Sequence, residues 1–117
     1  MERIMLKSKI HRAVLTGAEL NYVGSVGIDL NLLEAADIVP GEQVQVLNLN
    51  NGSRLITYAI EAERGSGTIE LNGPAAREGF VGDHVIIITY CHVNEEEMKH
   101  HQSCVVHVNE KNEIVDL

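Results

Sequence analysis

The residues best placed to do chemistry are Gly24-Ser25, within Tyr22-Val23-Gly24-Ser25-Val26. A serine hydroxyl can attack the carbonyl of the residue before it, converting an amide into an ester. Glycine at that preceding position leaves the carbonyl uncrowded and opens backbone conformations closed to other residues. Elimination of the ester would break the chain after Gly24 and leave residue 25 as a dehydroalanine. Hydrolysis then gives an N-terminal pyruvoyl group, a ketone able to form a Schiff base with a substrate amine. The dipeptide alone carries little weight. Gly-Ser recurs at Gly52-Ser53 and Gly65-Ser66, and a turn is the ordinary reading of such pairs. What sets the first copy apart is its company at fixed distances: Lys9, His11, Tyr22, Arg54, Thr57-Tyr58 and Asn72-Gly73-Pro74-Ala75-Ala76.

A chain of 117 residues is one domain, large enough for a single core. Its bulky aromatics are Tyr22, Tyr58, Tyr90 and Phe80 alone, so the core must be built from Val, Ile and Leu, which favours short strands over a helical bundle. A formal charge of -8 argues against a nucleic-acid partner, since such binding is carried by Lys and Arg against phosphates. Two cysteines, Cys91 and Cys104, are too few to staple a secreted mini-fold, and no signal peptide is evident. The longest apolar run, Val85 to Ile88, is too short to span a membrane. These features point to the cytoplasm.

The pattern along the chain predicts mostly strands. Met5 to Leu15 alternates, with Ile4, Leu6, Ile10 and Val14 on one face. Lys7, Lys9 and His11 share the other, a row that could receive an anion or be a solvated strand face. A short strand follows Ser25 to Ile28. Asn31 with Glu34 predicts a capping box over a helix Leu32 to Asp37, ended by Pro40-Gly41. Glu42 to Leu49 and Arg54 to Ile60 form a hairpin across Asn50-Asn51-Gly52. Arg54, Ile56, Tyr58 and Ile60 lie on one face, with Thr57 on the other. Thr68 to Leu71 leads through Asn72-Gly73 into a helical turn with Pro74 near its first position. His84 to Cys91 is a continuous apolar run, expected to be the most buried strand. Asn94 with Glu97 marks a second capping box, followed by strands Ser103 to Val108 and Ile114 to Leu117. Gly41-Glu42 and Gly82-Asp83 each follow a short helix and introduce an apolar strand. This pair resembles the turn repeated in the halves of double-psi β-barrels, so the expected fold is mainly β, a six-stranded double-psi β-barrel with short helices. Barrel closure would remove exposed strand edges.

Taken together, these residues resemble the pyruvoyl-dependent L-aspartate 1-decarboxylases. The similarity runs from Lys9 through about Ile88 and is densest from Asn51-Gly52-Ser53-Arg54 through Thr57-Tyr58-Ala59-Ile60-Glu61-Ala62-Glu63-Arg64-Gly65-Ser66. Beyond Tyr90 it fades. The resemblance implies autocatalytic cleavage between Gly24 and Ser25 into a β chain, 1–24, and an α chain, 25–117. It further implies a pyruvoyl cofactor made from Ser25, with no metal and no pyridoxal phosphate. The implied reaction takes L-aspartate to β-alanine and carbon dioxide for pantothenate synthesis, in a homotetramer with the site between subunits. By the same resemblance Tyr58 is the proton donor and Arg54 the carboxylate anchor, with Lys9 adding positive field. Thr57 serves processing and substrate contact, and Gly73, Pro74 and Ala75 form the substrate loop that Asn72 orients. Tyr22 and His11 take supporting positions. Two departures, Pro74 where alanine is common and Val23 where an acid often lies, bear on processing rate and on a need for a maturation helper.

Two other readings compete. Cys91, His92, His100, His101, Cys104 and His107 are the right residue types for zinc but not in a recognised spacing. A non-catalytic β-barrel binding module is the other, since such folds host both roles. It gives no reason for Ser25, Arg54, Thr57 and Tyr58 to occur at these distances.

Overall fold

The computed structural model describes residues 1–116. Nine strands pair into one continuous ladder: β1 Arg3–Val14, β2 Gly17–Glu19, β3 Ser25–Asp29, β4 Gln43–Asn48, β5 Arg54–Ala62, β6 Ile69–Asn72, β7 His84–Val93, β8 Cys104–Val108 and β9 Ile114–Val115. Helices α1 Leu30–Ala35 and α2 Glu95–Met98 and a 3-10 turn Gly73–Glu78 complete the described chain. The protein is mainly β with short helices. No described helix is long and apolar enough to cross a membrane. The last residue of the strand expected over Ile114 to Leu117 lies outside the described residues.

The spatial order is β2-β6-β3-β5-β4-β7-β1-β8-β9. Six contiguous strands, from β6 to β1, form the body; β2 extends one end and β8 with β9 the other. Among the described residues the strands do not close into a ring by ladder hydrogen bonds, yet the two sides of the body meet. Just past β1, Thr16 donates its backbone N–H to the Ile69 carbonyl at 2.8 Å, and its Oγ1 accepts the Ile69 N–H at 2.9 Å. Side chains from both sides, including Ile10, Val26, Ile28, Val46, Ile69, Leu71 and Ile87, fill one core. That arrangement is consistent with a β-barrel, and burying apolar surface against the opposite wall is what stabilises it. The repeated glycine turns fall where the sequence pairs them. Gly41 and Gly82 have φ of +92° and +97° and introduce β4 and β7, which lie side by side with Val46 opposite Ile87.

Four local expectations are corrected. In β1 the apolar face is not Ile4, Leu6, Ile10 and Val14. The register against β7 shifts between Leu6 and Ser8 and again between Ile10 and Ala13, where Arg12 has φ of +61°. Each shift flips the side-chain parity, so Ser8, Ile10, Ala13 and Leu15 are buried while Ile4 is 66% exposed. Lys7 is not free to receive an anion with Lys9 and His11, because it pairs with Glu42 at 2.7 Å. The first helix is capped by Asp29 rather than by an Asn31–Glu34 box; it runs Leu30–Ala35, and Glu34 pairs instead with Arg64. Finally, β3 rather than β7 is the strand buried along its whole length. It lies between β5 and β6, whereas β7 turns Ile86, Tyr90 and His92 outward. The Asn94–Glu97 capping box forms as expected.

Two side chains tie the elements around β3. The Asp29 carboxylate accepts the backbone N–H groups of Asn31 at 2.8 Å, Gly65 at 3.0 Å and Gly67 at 2.9 Å. It thereby joins the end of β3, the start of α1 and the β5–β6 loop. Asn112, 2% exposed in the β8–β9 hairpin, accepts from the Val14 N–H and donates to the Val14 and Gly67 carbonyls. The C-terminal hairpin therefore clasps the end of β1 to the same loop. Burial by itself would raise the Asp29 carboxyl; the N–H donors of Gly67, Gly65 and Asn31, with Arg64 nearby, outweigh it and hold the pKa below the usual carboxylate range.

Replacing Asp29 by Ala leaves three N–H groups without their acceptor and should lower the unfolding free energy by about 2–3 kcal/mol in urea denaturation. A depressed folded pKa means that this stabilisation is fully present above the unfolded value of about 4 and is lost as pH falls through the folded one. Asp29→Asn should therefore flatten the acid limb of the stability curve, and an acid limb identical to that of the parent protein would remove Asp29 from it.

Candidate active site

Ser25 is the first residue of β3 and sits between two neighbours of opposite sense. On one side β6 runs antiparallel and sets Asn72 opposite Ser25. On the other, β5 runs parallel with Ala59 opposite Val26, so stepping back along both strands brings Thr57 level with Gly24 and Tyr58 level with Ser25. Residues 48 positions apart at most are thus gathered by sheet register alone.

The Ser25 hydroxyl is buried, 1% exposed. It donates to the Val23 carbonyl at 3.3 Å and accepts from Asn72 Nδ2 at 3.1 Å. Asn72 Oδ1 is buried with no hydrogen-bond partner among the described residues. A buried unpaired acceptor is costly, which makes Asn72 the residue to explain at this site. The amide N–H aimed at the hydroxyl would serve equally for a ketone oxygen on residue 25, so its donor chemistry fits a pyruvoyl group there.

Beside Ser25 lies a cavity of about 420 Å³ lined by Gly24, Leu55, Ile56, Thr57, Tyr58, Asn72, Pro74, Ala75 and Glu78. A larger groove of about 600 Å³ runs between α1, the 64–67 loop and the β8–β9 hairpin. It contains none of the candidate residues, and its Asp29 and Asn112 are already engaged as described, so volume does not decide the site. At the smaller cavity Pro74 opens the 3-10 turn without a backbone N–H to offer, as its sequence position implies. Val23 is 71% exposed and turns its side chain to solvent.

Arg54 and Tyr58 share the outer face of β5, separated by the exposed Ile56, as alternation predicts. Tyr58 reaches the cavity. Arg54 stands just outside its lining and is held by a neutral amide, Nη1 donating to Gln45 Oε1 at 2.6 Å. Lys9 is not brought to Ser25 within one chain. The ladder runs Lys9–Ile88–Gln45–Ile56 across β1, β7, β4 and β5, which places Lys9 three strands from β5, about 14 Å away at ordinary strand spacing. His11 lies on the same face as Lys9, its ring edge-on to His107 at 5.6 Å between centroids. Burial foremost, then the charges of His107, Lys9 and Arg12, lower its pKa and favour the neutral imidazole. Tyr22 is half exposed beside a second, smaller hollow with Gly27, Glu61 and Glu70.

The sequence reading missed Glu78, Leu55 and Ile56 as cavity residues. Glu78 closes the helical turn that Pro74 opens, one turn further on, and that spacing was the available signal. Its carboxylate turns away to Ser53 Oγ at 2.9 Å, which leaves the cavity walls largely apolar. The Cys and His residues of the C-terminal third disperse instead of converging. Cys104 donates to the Ala35 carbonyl, His101 contacts the Leu6 carbonyl, His92 lies near Glu2, and no three metal-ligating side chains meet among the described residues.

Comparison with known proteins agrees with this geometry. The family model described as aspartate decarboxylase matches residues 1–115, so the similarity continues past Tyr90, beyond the stretch that carries the short motifs. An aspartate 1-decarboxylase of Thermoanaerobacter pseudethanolicus is 58% identical over 117 residues, covering all of both chains. Aspartate 1-decarboxylase 2 of Gloeobacter violaceus is 55% identical over all of this chain and 94% of its own. An aspartate 1-decarboxylase of Staphylococcus aureus is likewise 55% identical, over all of this chain and 92% of its own. With a match of that extent laid over a buried Ser25, its Asn72 partner and the Tyr58 cavity, the chain belongs to the aspartate decarboxylase family.

Proposed function

We propose that this protein cleaves itself between Gly24 and Ser25 and then converts L-aspartate to β-alanine and carbon dioxide, the step that feeds pantothenate synthesis. The observation that carries this reading is the Ser25 hydroxyl, buried and gripped by Asn72 at the edge of the Tyr58 cavity, in a chain that matches the family from end to end.

In the first stage Ser25 Oγ adds to the Gly24 carbonyl carbon. The C–N bond of that peptide breaks, and an ester with a free amine on residue 25 is left. The Thr57 hydroxyl, level with Gly24 in the ladder, donates to the oxyanion that forms on the way. Loss of the Ser25 Cα proton then expels the Gly24 carboxylate, leaving dehydroalanine; water adds and ammonia departs, giving the pyruvoyl terminus of the 25–117 chain. That carbonyl supplies the electron sink for the bond pair released when a carboxylate leaves as carbon dioxide. The remaining work belongs to side chains. Tyr58 holds the proton that returns to the substrate α-carbon. Arg54 binds a substrate carboxylate through its guanidinium fork, in place of the neutral Gln45 amide. Asn72 fixes residue 25, and the Gly73-Pro74-Ala75 loop bounds the substrate. The apolar walls limit water around the reacting centre.

Lys9 can add its charge to such a cavity only from another copy of the chain. The outer sheet face supports that assembly, since Ile4, Ile56, Tyr58 and Tyr90 stand exposed on it around Ile86 and Ile88, a patch of the kind that marks a protein interface. The homotetramer is our reading of this face. Two free thiols, Cys91 and Cys104, fit a reducing compartment and hence the cytoplasm.

Intact-mass measurement of warm-incubated protein should give two fragments, residues 1–24 and the remaining 93 (117 − 24), with the larger blocked to Edman chemistry. Ser25→Ala should stay whole. A wild-type chain that remains whole, with and without a maturation helper, would leave only the binding-module reading. In processed enzyme, Tyr58→Phe should cleave normally yet lose about 10²–10⁴ in kcat. Arg54→Lys should raise KM roughly tenfold to hundredfold, the effect of losing one fork hydrogen bond to a charged group. Unchanged kinetics in either variant would remove that residue from its role.

A further inference from the structure

The glycine expected to matter most for chain cleavage is Gly24, because it precedes the nucleophile. The packing directs attention to a different one. Gly73 has φ of +63°, a backbone state that side-chain-bearing residues rarely adopt. A Cβ placed there would lie 2.8 Å from Gly24 Cα, 2.9 Å from Gly24 N and 3.0 Å from the Tyr22 carbonyl oxygen. These are backbone atoms and cannot swing aside as the end of a side chain would. At Gly24 itself an added Cβ meets one atom, Pro74 Cδ, at an ordinary 3.5 Å. Gly24 therefore does not need to be glycine for want of space on that side, and Gly73 does.

The three consecutive residues Asn72, Gly73 and Pro74 all contact the segment Tyr22 to Ser25. Asn72 holds the Ser25 hydroxyl. Gly73 lies against the Gly24 and Tyr22 backbone, and the Pro74 ring faces Gly24. Asn72 is itself fixed by β6, opposite Ser25 in the antiparallel register with β3, so this contact surface is anchored in the sheet, whereas residues 20–24 lie outside any strand. Intramolecular attack on a carbonyl is governed by how narrowly nucleophile and carbonyl are confined. A backbone that is free on one side and pressed against a wall on the other is confined by that wall.

We propose that Gly73 is a positioning residue for self-cleavage: its bare Cα lets the Tyr22–Gly24 backbone seat against the start of the 3-10 turn, with the Gly24 carbonyl within reach of Ser25 Oγ. The loop expected to bound aspartate in the mature enzyme is first the template on which the precursor is cut. A corollary is that the Tyr22–Gly24 segment occupies this loop until cleavage gives Gly24 a free carboxylate end that can leave it. The inference rests on the self-cleavage reading above.

The test compares the rate of appearance of the 1–24 fragment, by intact mass, in wild type, Gly73→Ala and Val23→Gly. Gly73→Ala should cleave at least about tenfold more slowly, because the seat is blocked by backbone. Its folding is judged separately by thermal melting in the non-cleaving Ser25→Ala background, with and without Gly73→Ala. Val23→Gly covers the case in which Gly73→Ala does not fold: its side chain is solvent-exposed, so the fold is unaffected, while the added backbone freedom should slow cleavage roughly twofold to fivefold. Hydroxylamine, which cuts the ester but not the amide, should release less fragment from both variants than from wild type, placing the defect at the acyl shift. Wild-type cleavage kinetics in folded Gly73→Ala overturn the proposal, and so do wild-type kinetics in Val23→Gly should Gly73→Ala fail to fold. If wild type itself is never cut, the failure is of the self-cleavage reading; if wild type is cut and the variants match it, the failure is of Gly73 alone.

Discussion

Strand β3 is gripped at both ends by single side chains, and the rest of the structure is arranged to make those grips hold. At its far end the Asp29 carboxylate collects three backbone N–H groups from α1 and the 65–67 loop. At its near end Asn72 reaches across from β6 to the Ser25 hydroxyl. Between them every residue of the strand is buried and paired on both sides, to β5 and to β6. A reacting atom must be held to a fraction of an ångström, and a central strand clamped at both termini is a stiffer mount than a loop. Under the proposed self-cleavage the mount would also have to survive its own chemistry: with the 24–25 bond cut, residue 25 would be a chain end held by the ladder, Asn72 and the Asp29 clamp.

The proposed cut would also divide the molecule into pieces of very unequal size that must not separate. The short one, residues 1–24, contains β1, which pairs with β7 on one side and β8 on the other. It also contains β2, which pairs with β6. Ile10, Ala13 and Leu15 from this piece are fully buried in the common core. Asn112 adds a polar clasp, joining the Val14 backbone to the C-terminal hairpin and the Gly67 carbonyl. The tail beyond Tyr90, where the short motifs thin out, thus has a mechanical role: β8 covers the free edge of β1, and the hairpin pins its end.

The site places unlike demands on neighbouring residues of one strand. Along β5, Leu55, Thr57 and Ala59 face inward while Arg54, Ile56 and Tyr58 face out. Thr57 is thereby set level with Gly24, and Arg54 and Tyr58, the residues proposed to handle substrate, are set on a face that carries exposed apolar surface. Alternation in a strand makes this division automatic. Strand order, by contrast, is why one chain gathers Ser25, Thr57, Tyr58 and Asn72 on the adjacent strands β3, β5 and β6 but leaves Lys9 and His11 on β1, three strands from β5.

Local chemistry in the sequence was enough to place Arg54, Thr57 and Tyr58 on their faces of a hairpin strand and to pair the Gly41 and Gly82 turns. These follow from short-range rules: a period of two, and a positive φ that glycine accepts. The faces of β1 were misread because two register shifts, at Lys7 and near Arg12, reverse parity, and a shift depends on the partner strand rather than on β1. The cap of α1 was misread because Asp29 gains its donors from a loop 36 and 38 residues away as well as from its own helix. The need for glycine at 73 was equally out of reach, since it is imposed by the backbone of residues 22 and 24. Sequence determined which groups could react and how each strand would alternate. Tertiary structure decided which of them meet, because register, clamping and close backbone approach belong to pairs of segments and are written in neither segment alone.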